Sequence, residues 1–230
     1  MAQRQLPIGC ILGRFIAESK NRFRCIVEID GVTTPCYIAS SCRLDNFLDL
    51  KGKDVLLMPT LGKNATAKYT VCGVKYKHSY ILLNSSLANS AVYHSIDSRR
   101  FSFLGKRTDA QREHSIDGYK ADLYLPSSKT IIEVKSIITT NEQAEFGTVP
   151  SDRFLLQLTK MEELLKTGYV VKLFIVSLNP YVKSVQMPRA TELACALMRC
   201  INCGLQIYAF NCRLDINGKV HICRQVPILE

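Results

Sequence analysis

The run ADLYLPSSKTIIEVKS, residues 121–136, sets an acid inside one apolar stretch and an acid and a base, two residues apart, inside the next. An unpaired charge in a buried strand is costly, so Asp122, Glu133 and Lys135 need a reason to be there. Side chains alternate faces along a strand. Glu133 and Lys135 therefore share one face, while Ile132 and Val134 point into packing. On the preceding run, Asp122 is expected on the face opposite Ala121, Leu123 and Leu125. If the two strands pair, Asp122 comes beside Glu133, and two such carboxylates repel until one is pushed to protonate. A hard divalent cation, Mg²⁺ or Mn²⁺, removes the conflict, because it binds through one or two carboxylates plus a substrate phosphate. The main-chain carbonyl of Val134 can add a further oxygen. Lys135 can orient the attacking water and balance phosphate charge. The bare triplet Glu-x-Lys also describes an exposed strand with a weak surface ion pair. The apolar flanks and the upstream Asp122 weigh toward a built site.

The elements that must position these groups fall into two halves. Residues 11–83 read as short strands: RFIAES, FRCIVEID, VTTPCYIA, DVLLMPT, AKYTVCGVKY and YILLN. Asp30-Gly31 is a hairpin turn signal. Five or six short strands in about 75 residues predict a small OB-like barrel over residues 1–83. Basic Arg14, Arg22, Arg24, Lys68, Lys75 and Lys77 alternate with aromatics there, a mixture suited to single-stranded nucleic acid and equally consistent with a filled barrel and solvated charges. Residues 84–230 change pattern. LANSAVYHSI predicts a short helix, and ADLYL and TIIEVK two strands joined by a turn at 126–129. RFLLQLTKMEELLKTG and ATELACALMRCINCG have helical spacing and end in glycine. YVVKLFIVS reads as a strand buried on both faces, followed later by LQIYAFNC and KVHICRQVPI. The fold class is α+β: a small OB-like barrel, then a mixed sheet flanked by helices.

Composition narrows the function classes. A formal net charge of +10 points to a polyanionic partner or simply a basic protein. Residues 1–85 carry 12 Lys and Arg against 6 Asp and Glu, so the smaller half is the more basic. No run is long enough to span a membrane, and no signal-peptide pattern opens the chain, so a cytoplasmic protein is expected. Ten cysteines then read as reduced thiols. Cys200, Cys203, Cys212 and Cys223 would have to converge to hold zinc, and their placement on helical and strand-like runs argues for buried thiols instead.

Asp, a spacer, then Glu-x-Lys on a neighbouring strand is the arrangement of the PD-(D/E)xK nucleases. Beyond it, several segments resemble the sugar fermentation stimulation protein A (SfsA) family across nearly the whole chain. They are Gly13-Arg14-Phe15, LNSSLAN at 83–89, the stretch from Ser115 through ADLYL to IIEVKS, RFLLQL, and YAFNCRL. The resemblance implies an OB-like domain followed by a restriction-endonuclease-like one, DNA binding, and metal-dependent nuclease action on DNA or RNA. It also implies that Asp122, Glu133 and Lys135 occupy the metal and catalytic positions. Arg153 carries over from the helix, and Asn84 from the family's VNTSL-like segment, where it either meets substrate or caps the following helix. Arg153, Gln157 and Lys160 share one helical face and are candidate phosphate contacts. Four departures stand out. Gln157 replaces a family histidine and cannot shuttle a proton. Gly147-Thr148 stands for the family's Pro-Asp, residues 39–42 differ from its N-T-G-S-M segment, and the acid expected in the first helix is missing from NSAVYHS. Two readings follow: a Mg²⁺- or Mn²⁺-dependent nuclease, and a non-catalytic DNA-binding regulator linked to sugar-fermentation gene expression. A third, purely structural role makes the charge incidental. DNA against RNA, and monomer against homodimer, stay open.

Overall fold

The computed structural model describes residues 6–21, 23–39, 48–60 and 67–229. The first half is a five-stranded closed barrel. Strands β1 (Ile11–Glu18), β2 (Arg24–Ile29) and β3 (Val32–Ile38) form a meander. β4 (Asp54–Pro59) pairs with β1, β5 (Tyr69–Tyr76) pairs with β4, and a parallel β3–β5 contact closes the ring. β6 (Ser79–Leu82) extends β5. Asp30 and Gly31 both have positive φ, 49° and 78°, as a two-residue hairpin requires. Phe15, Cys25, Val27, Cys36, Ile38, Val55, Leu57 and Val71 fill the interior. Gly13 lies where β1 is pressed from both sides: a Cβ there would stand 2.5 Å from Val27 Cγ1, 2.8 Å from Leu57 Cδ1 and 3.0 Å from the Glu28 carbonyl oxygen. Only glycine lets these strands approach so closely.

The second half is a six-stranded mixed sheet in the order β14-β13-β11-β9-β8-β7. Its strands are β7 (Gln111–Ile116), β8 (Tyr119–Leu125), β9 (Thr130–Ile137), β11 (Val170–Ser177), β13 (Gln206–Leu214) and β14 (Val220–Val226). β9, β11 and β13 run parallel in the middle, which is why VVKLFIVS is buried almost throughout. β7 is an exposed edge strand, QREHSI, whose polar sequence gave no strand signal. A separate small sheet of β10 (Gln143–Glu145), β12 (Ser184–Gln186) and β15 (Ile228–Leu229) is made of pieces too short to read from sequence. Helices α2 (Asp152–Lys166) and α3 (Glu192–Asn202) cover one face, and α1 (Leu87–Ser95) with a 3-10 turn at Arg99–Leu104 covers the other. Ser151 caps α2 by accepting the Phe154 N–H, and Thr191 caps α3 by accepting that of Ala194.

The halves are joined through packing. Leu82, at the end of the barrel, packs in the layer under α1, and its N–H donates to the Leu178 carbonyl at 3.0 Å. The Tyr76 hydroxyl donates to the Thr140 carbonyl at 2.9 Å. Cys200 packs among α2 and α3, whereas Cys212 packs under α1, so these two thiols lie on opposite faces of the sheet and the four cysteines do not converge. Among the described residues, no helix is long and apolar enough to cross a membrane.

Candidate active site

The site lies where β8 parts from β9. Their ladder pairs Leu125 with Thr130, Tyr124 with Ile131 and Leu123 with Ile132, and Asp122 is the next residue on β8. From there its side chain takes over from the backbone: Asp122 Oδ2 accepts the Val134 N–H at 2.8 Å. Strict alternation would keep Ala121 and Leu123 on one face, as the sequence predicted, but it fails across Asp122. Leu123 and Leu125 pack under α1, whereas Ala121 and Tyr119 pack with α2 and α3. The backbone permits the switch because both neighbours are irregular there. The ladder to β9 has ended, and Glu113, the β7 residue in register with Asp122, has φ of 49°. Asp122 is thus half-buried at a split in the sheet, with its carboxylate turned toward β9.

Glu133 is buried, and both of its oxygens are engaged. Oε1 accepts from Lys135 Nζ at 2.5 Å and from Gln157 Nε2 at 3.0 Å, and Oε2 accepts from the Tyr119 hydroxyl at 2.6 Å. Lys135 Nζ also donates to Gln157 Oε1 at 2.8 Å and lies 4.7 Å from the centre of the Phe154 ring. The amide of Gln157 is therefore fixed in orientation: its carbonyl faces the ammonium and its NH₂ the carboxylate. This is a buried ion pair whose remaining valences are met, the condition under which such a pair is tolerated. Asp122 has no such cation. Its Oδ1 accepts from Asn89 Nδ2 of α1 at 2.7 Å, so both its close donors are neutral. Burial, and then the negative charge of Glu133, push its pKa up to about 6 against the pull of Val134 N–H, Lys135 and Asn89. Burial, and then Glu133, likewise push the Tyr119 phenol far above its ordinary range.

The donor set suits a hard divalent cation. Two carboxylates and one ammonium leave a net charge of −1 in a half-buried site. Because the Val134 N–H points to the β8 edge of its strand, its carbonyl points to the same edge, beside Asp122. Among the described residues, no group of three or more His, Cys, Asp or Glu could hold a metal ion; the oxygens at the split are those of Asp122, Glu133 and the Val134 carbonyl.

The other expected residues are spread more widely. Arg153 is exposed on the first turn of α2, one helical turn from Gln157. Gln157 faces Glu133 and Lys135 rather than solvent, and Lys160 pairs with Glu163 at 2.7 Å. Asn84 Oδ1 accepts from the Ser86 N–H at 3.0 Å and the Ser86 hydroxyl at 2.8 Å, which shapes the turn into α1. Arg14 and Arg24 are exposed on the barrel, opposite Glu28 and Tyr37. Arg22 lies outside the described residues, as do positions 40–42 of the departing segment. Gly147 has φ of 74°, a value the proline ring forbids, so the family's proline cannot stand at this turn. Two site residues escaped the sequence reading. Tyr119 stands three positions before Asp122, and the layer switch brings it to Glu133. Asn89 lies inside LNSSLAN, and its amide occupies the helix face that meets Asp122.

Known proteins agree with this architecture. The family model for the sugar fermentation stimulation protein RE domain matches residues 86–218. A sugar fermentation stimulation protein homolog from Desulforamulus reducens is 24% identical over 92% of this chain and 89% of its own length. One from Caldanaerobacter subterraneus is 28% identical over 90% and 92%. The structure of Pyrococcus furiosus SfsA, solved in complex with Ca²⁺, matches over the whole of both chains with a TM-score of 0.80 at 17% identity, a likeness of fold. The chain belongs to the sugar fermentation stimulation protein family.

Proposed function

We propose that the chain binds DNA or RNA and hydrolyses phosphodiester bonds with Mg²⁺ or Mn²⁺ held at Asp122, Glu133 and the Val134 carbonyl. The observation that carries this reading is the charge imbalance at the sheet split: Lys135 pairs with Glu133, while among the described residues Asp122 forms no salt bridge and its close donors are neutral. That Pyrococcus furiosus SfsA was solved with Ca²⁺ supports a divalent cation on this fold. A bound cation would supply Lewis acidity toward a phosphate oxygen and acidify a water. Asn89 and the Val134 N–H hold the Asp122 carboxylate in the orientation that presents it to the split. Tyr119 and Gln157 hold Glu133, and Gln157 holds the Lys135 ammonium where it can donate to an anionic oxygen. Arg153, exposed one turn away on α2, is positioned to meet a neighbouring phosphate, and the basic barrel adds non-specific attraction for the strand.

The test is a time course on single- and double-stranded DNA and RNA with Mg²⁺, Mn²⁺ or EDTA, using wild type, Asp122→Asn and Lys135→Ala. Cleavage should need the metal and vanish in both variants while binding persists. Activity that survives EDTA, or is equal in the variants, would place the chemistry elsewhere. A second reading, a nucleic-acid-binding regulator without turnover, is favoured by one observation: Lys135 is tied to both Glu133 and Gln157, and Gln157 cannot carry a proton. It expects salt-sensitive binding and no products with either metal.

A further inference from the structure

The far edge of the second sheet carries a group of arginines that the site does not use. β14 is the edge strand, and its pairing with β13 shifts register between Asn211 and Cys212, so Cys223 is an extra residue in a bulge. Bulges re-aim the side chains on either side of them. Arg224 lies opposite Asn211, and both donate to the Val182 carbonyl, at 3.2 and 2.8 Å. Arg213 is two residues beyond Asn211 and so shares its face. From the other side of the edge, Arg100 of the 3-10 turn donates to the Cys223 carbonyl at 2.5 Å. All three are exposed, and among the described residues none forms a salt bridge with a carboxylate. Asp215, two residues beyond Arg213 on the chain, contacts His221 at 3.0 Å instead. Burial raises the pKa of the Cys223 thiol, and the nearby charges of Arg213, Arg100 and Arg224 each oppose that rise, in keeping with their placement around this bulge. Three unanswered positive charges crowded on one edge repel one another, an arrangement that a string of phosphates relieves.

The patch is placed to serve the proposed site. Asn211 is level with Ser177 on β11 and with Ile137 on β9, two residues past Lys135. Three strand spacings separate β9 from β14, so Arg224 stands roughly 15 Å from Lys135 measured over the sheet. That separation corresponds to about four or five phosphates of a strand in a duplex. We propose that Arg213, Arg224 and Arg100 form a second anchoring surface for the nucleic-acid backbone, one that holds the strand several nucleotides from the Asp122–Glu133–Lys135 site. The inference rests on the proposed nucleic-acid partner, but not on catalysis.

Binding measured in EDTA separates the two. A fluorescein-labelled 20-nucleotide single strand, as DNA and as RNA, is titrated by anisotropy at several salt concentrations. Arg213→Gln/Arg224→Gln should bind about tenfold more weakly at low salt, and the slope of log K against log salt should fall in magnitude by about 1.4, the loss of two phosphate contacts. Arg213→Lys/Arg224→Lys should keep most of the slope, and Lys166→Gln, on the outer side of α2, should change nothing. Thermal melting checks that the Gln variant folds. Wild-type affinity and slope in the folded Gln variant overturn this surface and leave the proposed function standing. Weakened binding by the folded Gln variant, where the wild type binds but cleaves nothing, sustains the surface and removes only the catalytic claim. No binding by wild type at low salt overturns both, as does equal retention of anionic lipid vesicles by wild type and the Gln variant with no retention of oligonucleotide.

Discussion

Removing the charge of Asp122 should stabilise the metal-free protein at neutral pH. The folded chain holds the proton of Asp122 more tightly than the unfolded chain does, with a pKa of about 6 against an ordinary 3.8. Between those values the native state binds more protons, so this group's contribution to stability is fully present below about pH 4 and is lost as pH rises through about 6. At about 1.4 kcal/mol per unit, the ionised carboxylate costs up to about 3 kcal/mol at pH 7.5. Water reaches part of the group, which brings a working figure to about 1–3 kcal/mol. Asp122→Asn removes that cost with little change of shape. The new carbonyl can accept the Val134 N–H, and Asn89 needs only to turn its amide over to present an oxygen to the new NH₂. At about 2–4 °C per kcal/mol for a chain of this length, Asp122→Asn should melt about 2–12 °C above wild type at pH 7.5 in EDTA. The gain should fall to about a third by pH 4.5. Millimolar Mn²⁺ should then reverse the order, because the cation stabilises only the chain that retains the carboxylate. Thermal melts followed by circular dichroism across pH 4.5–8 decide it. A variant that melts below wild type in EDTA at pH 7.5, or a gain that is the same at both ends of the range, would refute the charge argument on which the site rests.

Tyr119→Phe removes the hydroxyl donor from Glu133 Oε2 and should cost about 1–3 kcal/mol in urea unfolding at pH 7.5; an unchanged midpoint would show that the carboxylate finds another donor. Gln157→Leu takes a partner from both Glu133 and Lys135 and should destabilise by a similar amount, whereas Gln157→His should recover part of that loss. Gly13→Ala should cost about 1–3 kcal/mol, because the added methyl meets Val27, Leu57 and a main-chain oxygen at once; a neutral result would mean that β1 can slide between its neighbours. Mn²⁺ affinity by calorimetry should weaken below about pH 6, as protons compete for Asp122; a flat profile from pH 5 to 8 would take Asp122 out of the ligand set.

The barrel was legible because its strands are short, alternating and separated by turn residues with a steric purpose. Asp30-Gly31 names its turn type outright, and the six strand segments fall on β1 to β6. The three helices and the buried run VVKLFIVS were legible for the same reason, since periodicity records burial. Strand β7 was not, because an exposed edge with a polar partner face carries no apolar signal. Nor were the two- and three-residue strands of the small sheet, whose pairing is set by the chain around them.

At the site, the sequence named the three ionisable groups but not the geometry that makes them work. Alternation predicted that Asp122 would face Glu133 across a regular ladder. The structure instead ends the ladder there and uses the Asp122 carboxylate in place of a backbone acceptor for Val134. That substitution has two consequences which no periodic rule contains. It opens the β8 edge of Val134, freeing a carbonyl oxygen that a continued strand would have paired. It also flips Tyr119 and Ala121 into the layer of α2, which brings a phenol to Glu133 and lets that buried carboxylate stay paired with Lys135. The same break leaves Asp122 with only neutral donors from Asn89 and Val134. One interrupted strand pairing thus produces a carboxylate paired with an ammonium and another held by neutral donors alone, and the difference between them is what the proposed cation would answer.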